Sequence, residues 1–145
     1  MSPDFKDLLS EFNAHGVDYL VVGAYALAAH GRIRATGDLD VWVRPVPANA
    51  KQVLSALVKF GAPLQDLSEQ DLSTPGVVYQ IGVAPLRIDI LTAIDAVEFE
   101  EAWQARVITG CGPKRSGPFA CAPHLQKARG RQSTGYCGSR VARTC

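Results

Sequence analysis

No acidic residue follows Glu101 in this chain of 145 residues. All 14 Asp and Glu lie at or before that position, among only seven basic residues (Lys6, Arg32, Arg34, Arg44, Lys51, Lys59 and Arg87), so residues 1–101 carry about −7. The stretch beyond holds eight Lys and Arg, about +8, together with all four cysteines, Cys111, Cys121, Cys137 and Cys145. Apolar periodicity also stops near Thr109. A folded core therefore has to come from residues 1–109, and 110–145 reads as a basic tail rich in Cys, Gly, Pro and Arg. The formal net charge of +1 hides this division.

The cysteine spacings match no zinc pattern. A disulfide framework belongs to an oxidising compartment, and an opening with Asp4, Lys6 and Asp7 does not read as a secretory signal. The longest apolar run, Tyr19–Ala29, is 11 residues, against the ~20 that a membrane-spanning helix needs. The expectation is a cytoplasmic chain without a membrane partner. For the tail three readings stand side by side: a disordered basic extension, a nucleic-acid arm, or an out-of-frame translation.

Residues 1–109 read as one α/β (α+β) domain, a small mixed sheet flanked by helices. Pro3 at a first helical position, Asp4 and Asp7 in the first turn, and Phe5, Leu8, Leu9 and Phe12 at helical spacing predict a helix ended by Gly16. Tyr19–Val22 is a short buried strand broken by Gly23. Ala24–His30 is a helix closed by Gly31, and Arg32–Gly37 a polar connection. Leu39–Val43 is a strand, and Ala48–Phe60 an amphipathic helix with Gly61 at its end. Residues 62–75 read as a loop, Val77–Ile81 and Leu86–Leu91 as a hairpin, and Glu98–Arg106 as a last helix. His30 reads as a helix-end residue favoured by the dipole rather than as a base.

The carboxylates carry the chemistry. Alternation along a strand sends Asp38 and Asp40 to one face while Leu39 and Val41 enter the core. Two acids so placed repel unless a cation lies between them, and hard oxygen donors suit magnesium or manganese. In Leu86–Leu91 the same alternation buries Ile88 and Ile90 and projects Arg87 and Asp89 to the other side. If the two strands are neighbours, three carboxylates share one patch, and such a trio can hold two metal ions roughly 3.5–4 Å apart for in-line phosphoryl displacement. The strand–Gly23–helix turn complements it with exposed backbone N–H groups that can cradle a phosphate.

Tyr19-Leu-Val-Val-Gly-Ala-Tyr-Ala-Leu-Ala-Ala-His-Gly31, Arg34-Ala-Thr-Gly-Asp-Leu-Asp-Val-Trp-Val43 and Arg87-Ile-Asp-Ile-Leu91 together resemble the DNA-polymerase-beta-type nucleotidyltransferase superfamily, particularly its small bacterial stand-alone members. The resemblance covers about residues 4–106. It implies that Asp38, Asp40 and Asp89 bind Mg2+ (or Mn2+) and form the catalytic set, with Asp89 also helping to activate the attacking hydroxyl. Gly23 and the backbone of Ala24 would hold the nucleotide's phosphates, Arg34 would contact the triphosphate and Thr36 would steady the loop. Ala24 departs from the Ser or second Gly that many members carry, so backbone donors must suffice there.

The implied reaction moves a nucleoside monophosphate from a nucleoside triphosphate to an acceptor hydroxyl with release of pyrophosphate. Small members of the family modify small molecules, tRNA ends or proteins, the last two in toxin–antitoxin pairs. Rival expectations are a catalytically inactive, antitoxin-type interaction subunit and a basic-tailed nucleic-acid binder. The family usually continues with a further strand and a Lys/Arg-rich helix, and the codons after His124, read one nucleotide later, permit a segment of that kind. This implies a frame shift near Val107–Gly110.

Overall fold

A computed structural model describes residues 3–23, 26, 37–64, 66–83, 86–109, 119–121 and 140–143. The chain opens with helix α1 (Pro3–Ala14), which buries Phe5, Leu8, Leu9 and Phe12 on one stripe and carries Asp4 in its first turn. Gly16, at φ +66°, turns the chain into strand β1 (Tyr19–Val22), every residue of which is buried. Strand β2 (Asp38–Val43) begins one residue before the predicted strand. Helix α2 (Pro47–Phe60) starts with Pro in the first turn after Val46 and ends on Gly61, whose left-handed φ of +93° lets its N–H reach the carbonyls of Leu57 and Val58.

The segment 62–75 is not wholly a loop. Helix α3 (Glu69–Ser73) lies within it, nucleated by a capping box: Ser68 Oγ accepts from the Asp71 N–H at 3.1 Å, and Asp71 Oδ2 accepts from the Ser68 N–H at 3.2 Å. Strands β3 (Val77–Val83) and β4 (Leu86–Leu91) form the antiparallel hairpin expected, and helix α4 (Phe99–Gln104) follows, shorter than predicted at both ends. Strand β5 (Val107–Thr109) comes next. Within the basic tail, the described residues form two short strands, β6 (Phe119–Cys121) and β7 (Arg140–Arg143).

The described strands make one mixed sheet in the order β5-β6-β1-β2-β4-β3-β7. β2 lies antiparallel to β1 and parallel to β4, a pairing that requires the crossover through α2, α3 and β3. On one face Tyr19, Val21, Leu39, Val41, Val43, Tyr79, Ile81, Ile88 and Ile90 pack with the apolar stripes of α1 and α2. On the other, Leu20, Val22, Trp42, Val78 and Leu91 pack with Phe99 and Ala102 of α4. This is an α+β architecture with helices on both sides of a mixed sheet. Among the described residues, no helix is long and apolar enough to cross a membrane.

Two buried polar side chains fix the ends of this frame. Asn49, 5% exposed, accepts from the Asp18 N–H and donates to the carbonyls of Asp18 and Arg44, clamping the entrance of β1 to the exit of β2. Thr92 accepts from the Val77 N–H at 2.8 Å and donates to the Thr74 carbonyl at 2.7 Å, which holds the exit of β4 against the start of β3. Both satisfy backbone groups that burial would otherwise leave unpaired.

Candidate functional site

The parallel register of β2 and β4 sets Asp38 opposite Arg87 and Asp40 opposite Asp89. Directly paired residues project to the same side, so all four stand on the sheet face opposite the α1–α2 core. The next register pair, Gln80 with Asp89, extends the polar row onto β3. On the other side Val22 of β1 pairs with Asp40, and Gly23 is the residue after it. The three predicted carboxylates and the glycine turn therefore lie at one end of a single sheet face, although they come from three strands.

Gly23 lies directly against Asp40. It sits at φ +71°, a conformation that favours glycine, and a Cβ built there would lie 2.4 Å from Asp40 Oδ2. A side chain at this position would collide with the carboxylate. The missing Cβ is thus used twice, for the turn and for the close approach of the chain to Asp40.

Arg87 supplies the positive charge among these acids. Its Nη2 donates to Asp89 Oδ2 at 3.1 Å and more weakly to Asp38 Oδ2 at 3.5 Å, and its Nε lies 3.0 Å from Asp89 Oδ1. That last contact is an ion pair without hydrogen-bond alignment, so both Nε and Oδ1 are buried without a hydrogen bond. Asp89 is 1% exposed, whereas Asp38 and Asp40 are partly exposed. Burial raises the Asp89 pKa above the usual carboxylate value and the neighbouring Asp38 adds to this, with Arg87 opposing. Burial alone would lower the Arg87 pKa, but Asp89, Asp38 and Asp40 together outweigh it and hold the guanidinium more firmly charged.

Three carboxylates stand on one face, one of them with a buried oxygen that no hydrogen bond reaches, and hard oxygen donors are the kind a divalent ion takes. Yet among the described residues no three His, Cys, Asp or Glu are gathered closely enough to hold a metal ion. The guanidinium of Arg87 joins Asp38 to Asp89, in place of a common point of convergence for all three. Sequence reasoning placed Arg87 on the correct face but gave it no part in the site. Gln80 was missed too, and only its spacing of two from Val78 on a predicted strand could have indicated it.

Ala24, Arg34 and Thr36, the remaining candidate nucleotide contacts, lie outside the described residues, as do His30 and most of the predicted helix 24–30. Ala26, the described residue of that helix, is buried at 7% exposure. Of the tail cysteines, Cys121 is described; it is a free thiol, buried against the β1 core, and burial pushes its pKa up to about 12, which leaves it unreactive near neutral pH. Comparison with known proteins gives no matching family model, no matching curated protein and no matching solved structure.

Proposed function

We propose that the chain is a metal-dependent nucleotidyltransferase of the DNA-polymerase-beta type, moving a nucleoside monophosphate from a nucleoside triphosphate to an acceptor hydroxyl. The observation that carries this reading is the registration of Asp40 with Asp89 beside a glycine whose absent Cβ leaves room for the Asp40 carboxylate. Asp38, Asp40 and Asp89 would hold Mg2+ or Mn2+, which when bound neutralises phosphate charge and orients the triphosphate. Gly23 and Ala24 would give the phosphates backbone N–H groups, as the resemblance implies. Arg34 and Thr36 belong to the same proposed nucleotide contact.

The acceptor oxygen attacks the alpha-phosphorus in line, a new P–O bond forms, and the bond to pyrophosphate breaks. Asp89 is the group suited to take the acceptor's proton, because its burial makes the carboxylate a stronger base than an exposed one. Positioning and charge neutralisation then carry the rate. The acceptor is a small molecule, a tRNA end or a protein, the last two consistent with a toxin–antitoxin pairing. The same proposal has the chain work in the cytoplasm, where nucleoside triphosphate and magnesium are both at hand.

One observation favours a second reading, a catalytically inactive interaction subunit. Arg87 already neutralises part of the acidic cluster, as a site that has lost its metal would require. Incubation with labelled nucleoside triphosphates, magnesium and cell extract separates the two. Transfer of label by the wild type and its loss in Asp38→Ala/Asp40→Ala supports the enzyme. Equal labelling with both proteins, or with neither, removes the catalytic assignment.

A further inference from the structure

We propose that Arg87 is a built-in substitute for the divalent ion: its guanidinium holds Asp89 and Asp38 together in the resting protein and must leave before an ion binds, so loading of the site is an exchange of cations. The inference rests on the nucleotidyltransferase reading and adds to it a means of regulation by ion concentration.

Three observations carry it. First, the register surrounds Arg87 with all three acids, Asp38 opposite it, Asp89 two residues along its own strand, and Asp40 opposite Asp89. The guanidinium lies against both oxygens of Asp89, donating a hydrogen bond to Oδ2 at 3.1 Å and standing 3.0 Å from Oδ1 without one, so its bulk and charge bar an ion while it stays. Second, the contact is made to be broken. Nε and Oδ1 are close without alignment, and the hand on Asp38 is at the 3.5 Å limit, so Arg87 lacks the parallel two-bond fork that makes an Arg–carboxylate pair strong. Third, the exposures of the partners differ. The Asp89 side chain is 2% exposed and stays within the sheet, while that of Arg87 is 36% exposed, so a rotamer change carries the guanidinium into water.

Charge balance points the same way. Asp38, Asp40, Asp89 and Arg87 sum to −2, but a divalent ion and a guanidinium bound to one carboxylate repel each other at a few ångströms. Removing the guanidinium therefore strengthens ion binding, whereas a purely structural arginine would leave it unchanged or weaken it by loosening Asp89.

The test is Mn2+ binding to the full chain without nucleotide, by calorimetry, for the wild type, Arg87→Met and Asp89→Asn, together with the Tm of each with and without Mn2+. Arg87→Met should bind Mn2+ at least tenfold more tightly than the wild type and show a larger Mn2+-induced rise in Tm from a lower starting value. Asp89→Asn should lose the binding. If the wild type and Arg87→Met bind alike and Asp89→Asn does not, the ion site stands and the exchange is overturned. If neither the wild type nor Arg87→Met binds Mn2+, the nucleotidyltransferase reading fails and the exchange fails with it. Should Arg87→Met not fold, the wild type serves: titration with Mg2+ should shift the side-chain Nε–H resonance of Arg87, and a resonance unmoved at saturating Mg2+ overturns the proposal.

Discussion

β2 and β4 carry opposite chemistry at their two ends on a single face of the sheet. Toward their starts stand Asp38, Asp40, Arg87 and Asp89; toward their ends stand Trp42 and Leu91. The apolar end is covered by α4. Phe99 meets the Trp42 ring edge-on with centroids 5.1 Å apart, Trp103 stacks on Phe99, and Arg44 lies over both Phe99 and Trp103 while pairing with Asp18 and Glu100. At the charged end Asp38 and Asp40 are partly exposed, although Asp89 is buried. The contrast shows how one sheet face can carry both a core and a charged row: burial of the aromatic half anchors the strands, so the other half can keep three carboxylates on one face although they repel.

The largest effect should come from the covered half. Trp42→Ala opens a cavity under α4 and should cost about 3–5 kcal/mol in urea unfolding, with the charged end lost along with the fold. Gly23→Ala probes the junction. Its Cβ would meet Asp40 Oδ2 at 2.4 Å in a left-handed backbone, which should cost about 1–3 kcal/mol and abolish label transfer. Loss of Tm with full transfer would disconnect the glycine from the site.

A smaller effect is pH-dependent. Because Asp89 binds its proton more tightly in the folded chain than in the unfolded one, its ionised form detracts from stability at neutral pH. That loss is relieved as pH falls through the raised folded value toward about 4, the unfolded value. The stability of the wild type relative to Asp89→Asn should therefore rise as pH is lowered from 7 to about 4 in parallel unfolding series. A difference that falls over this range would contradict the raised pKa. The smallest effect belongs to the exposed rim of the covered half. Glu100 pairs with Arg44 from a side chain that is 63% exposed, and Glu100→Gln should change stability by at most about 0.5 kcal/mol.

Strand alternation was legible from residue types alone: Asp38, Asp40, Arg87 and Asp89 stand on the face that period two assigns them. The adjacency of β2 and β4 was only a condition in the sequence, because pairing between strands is set by the crossover and the whole core, not by either strand. Helix α3 was hidden by a polar segment whose one signal was the Ser68–Asp71 spacing. Asn49 read as an ordinary residue of an amphipathic helix, because the backbone groups it satisfies lie in Asp18 and Arg44, outside its own helix. The strands β6 and β7 have no alternation long enough to announce them.

Parallel pairing across a long crossover has a kinetic consequence. Asp40 and Asp89 stand 49 positions apart and meet only when β4 docks beside β2. During synthesis, then, a chain halted before residue 86 has made its first two acids but cannot yet possess their partner. Contacts of such sequence separation form late, after the entropy of a long loop has been overcome. The charged face should accordingly be completed in a single step, when the sheet closes, with no half-built version of it along the way.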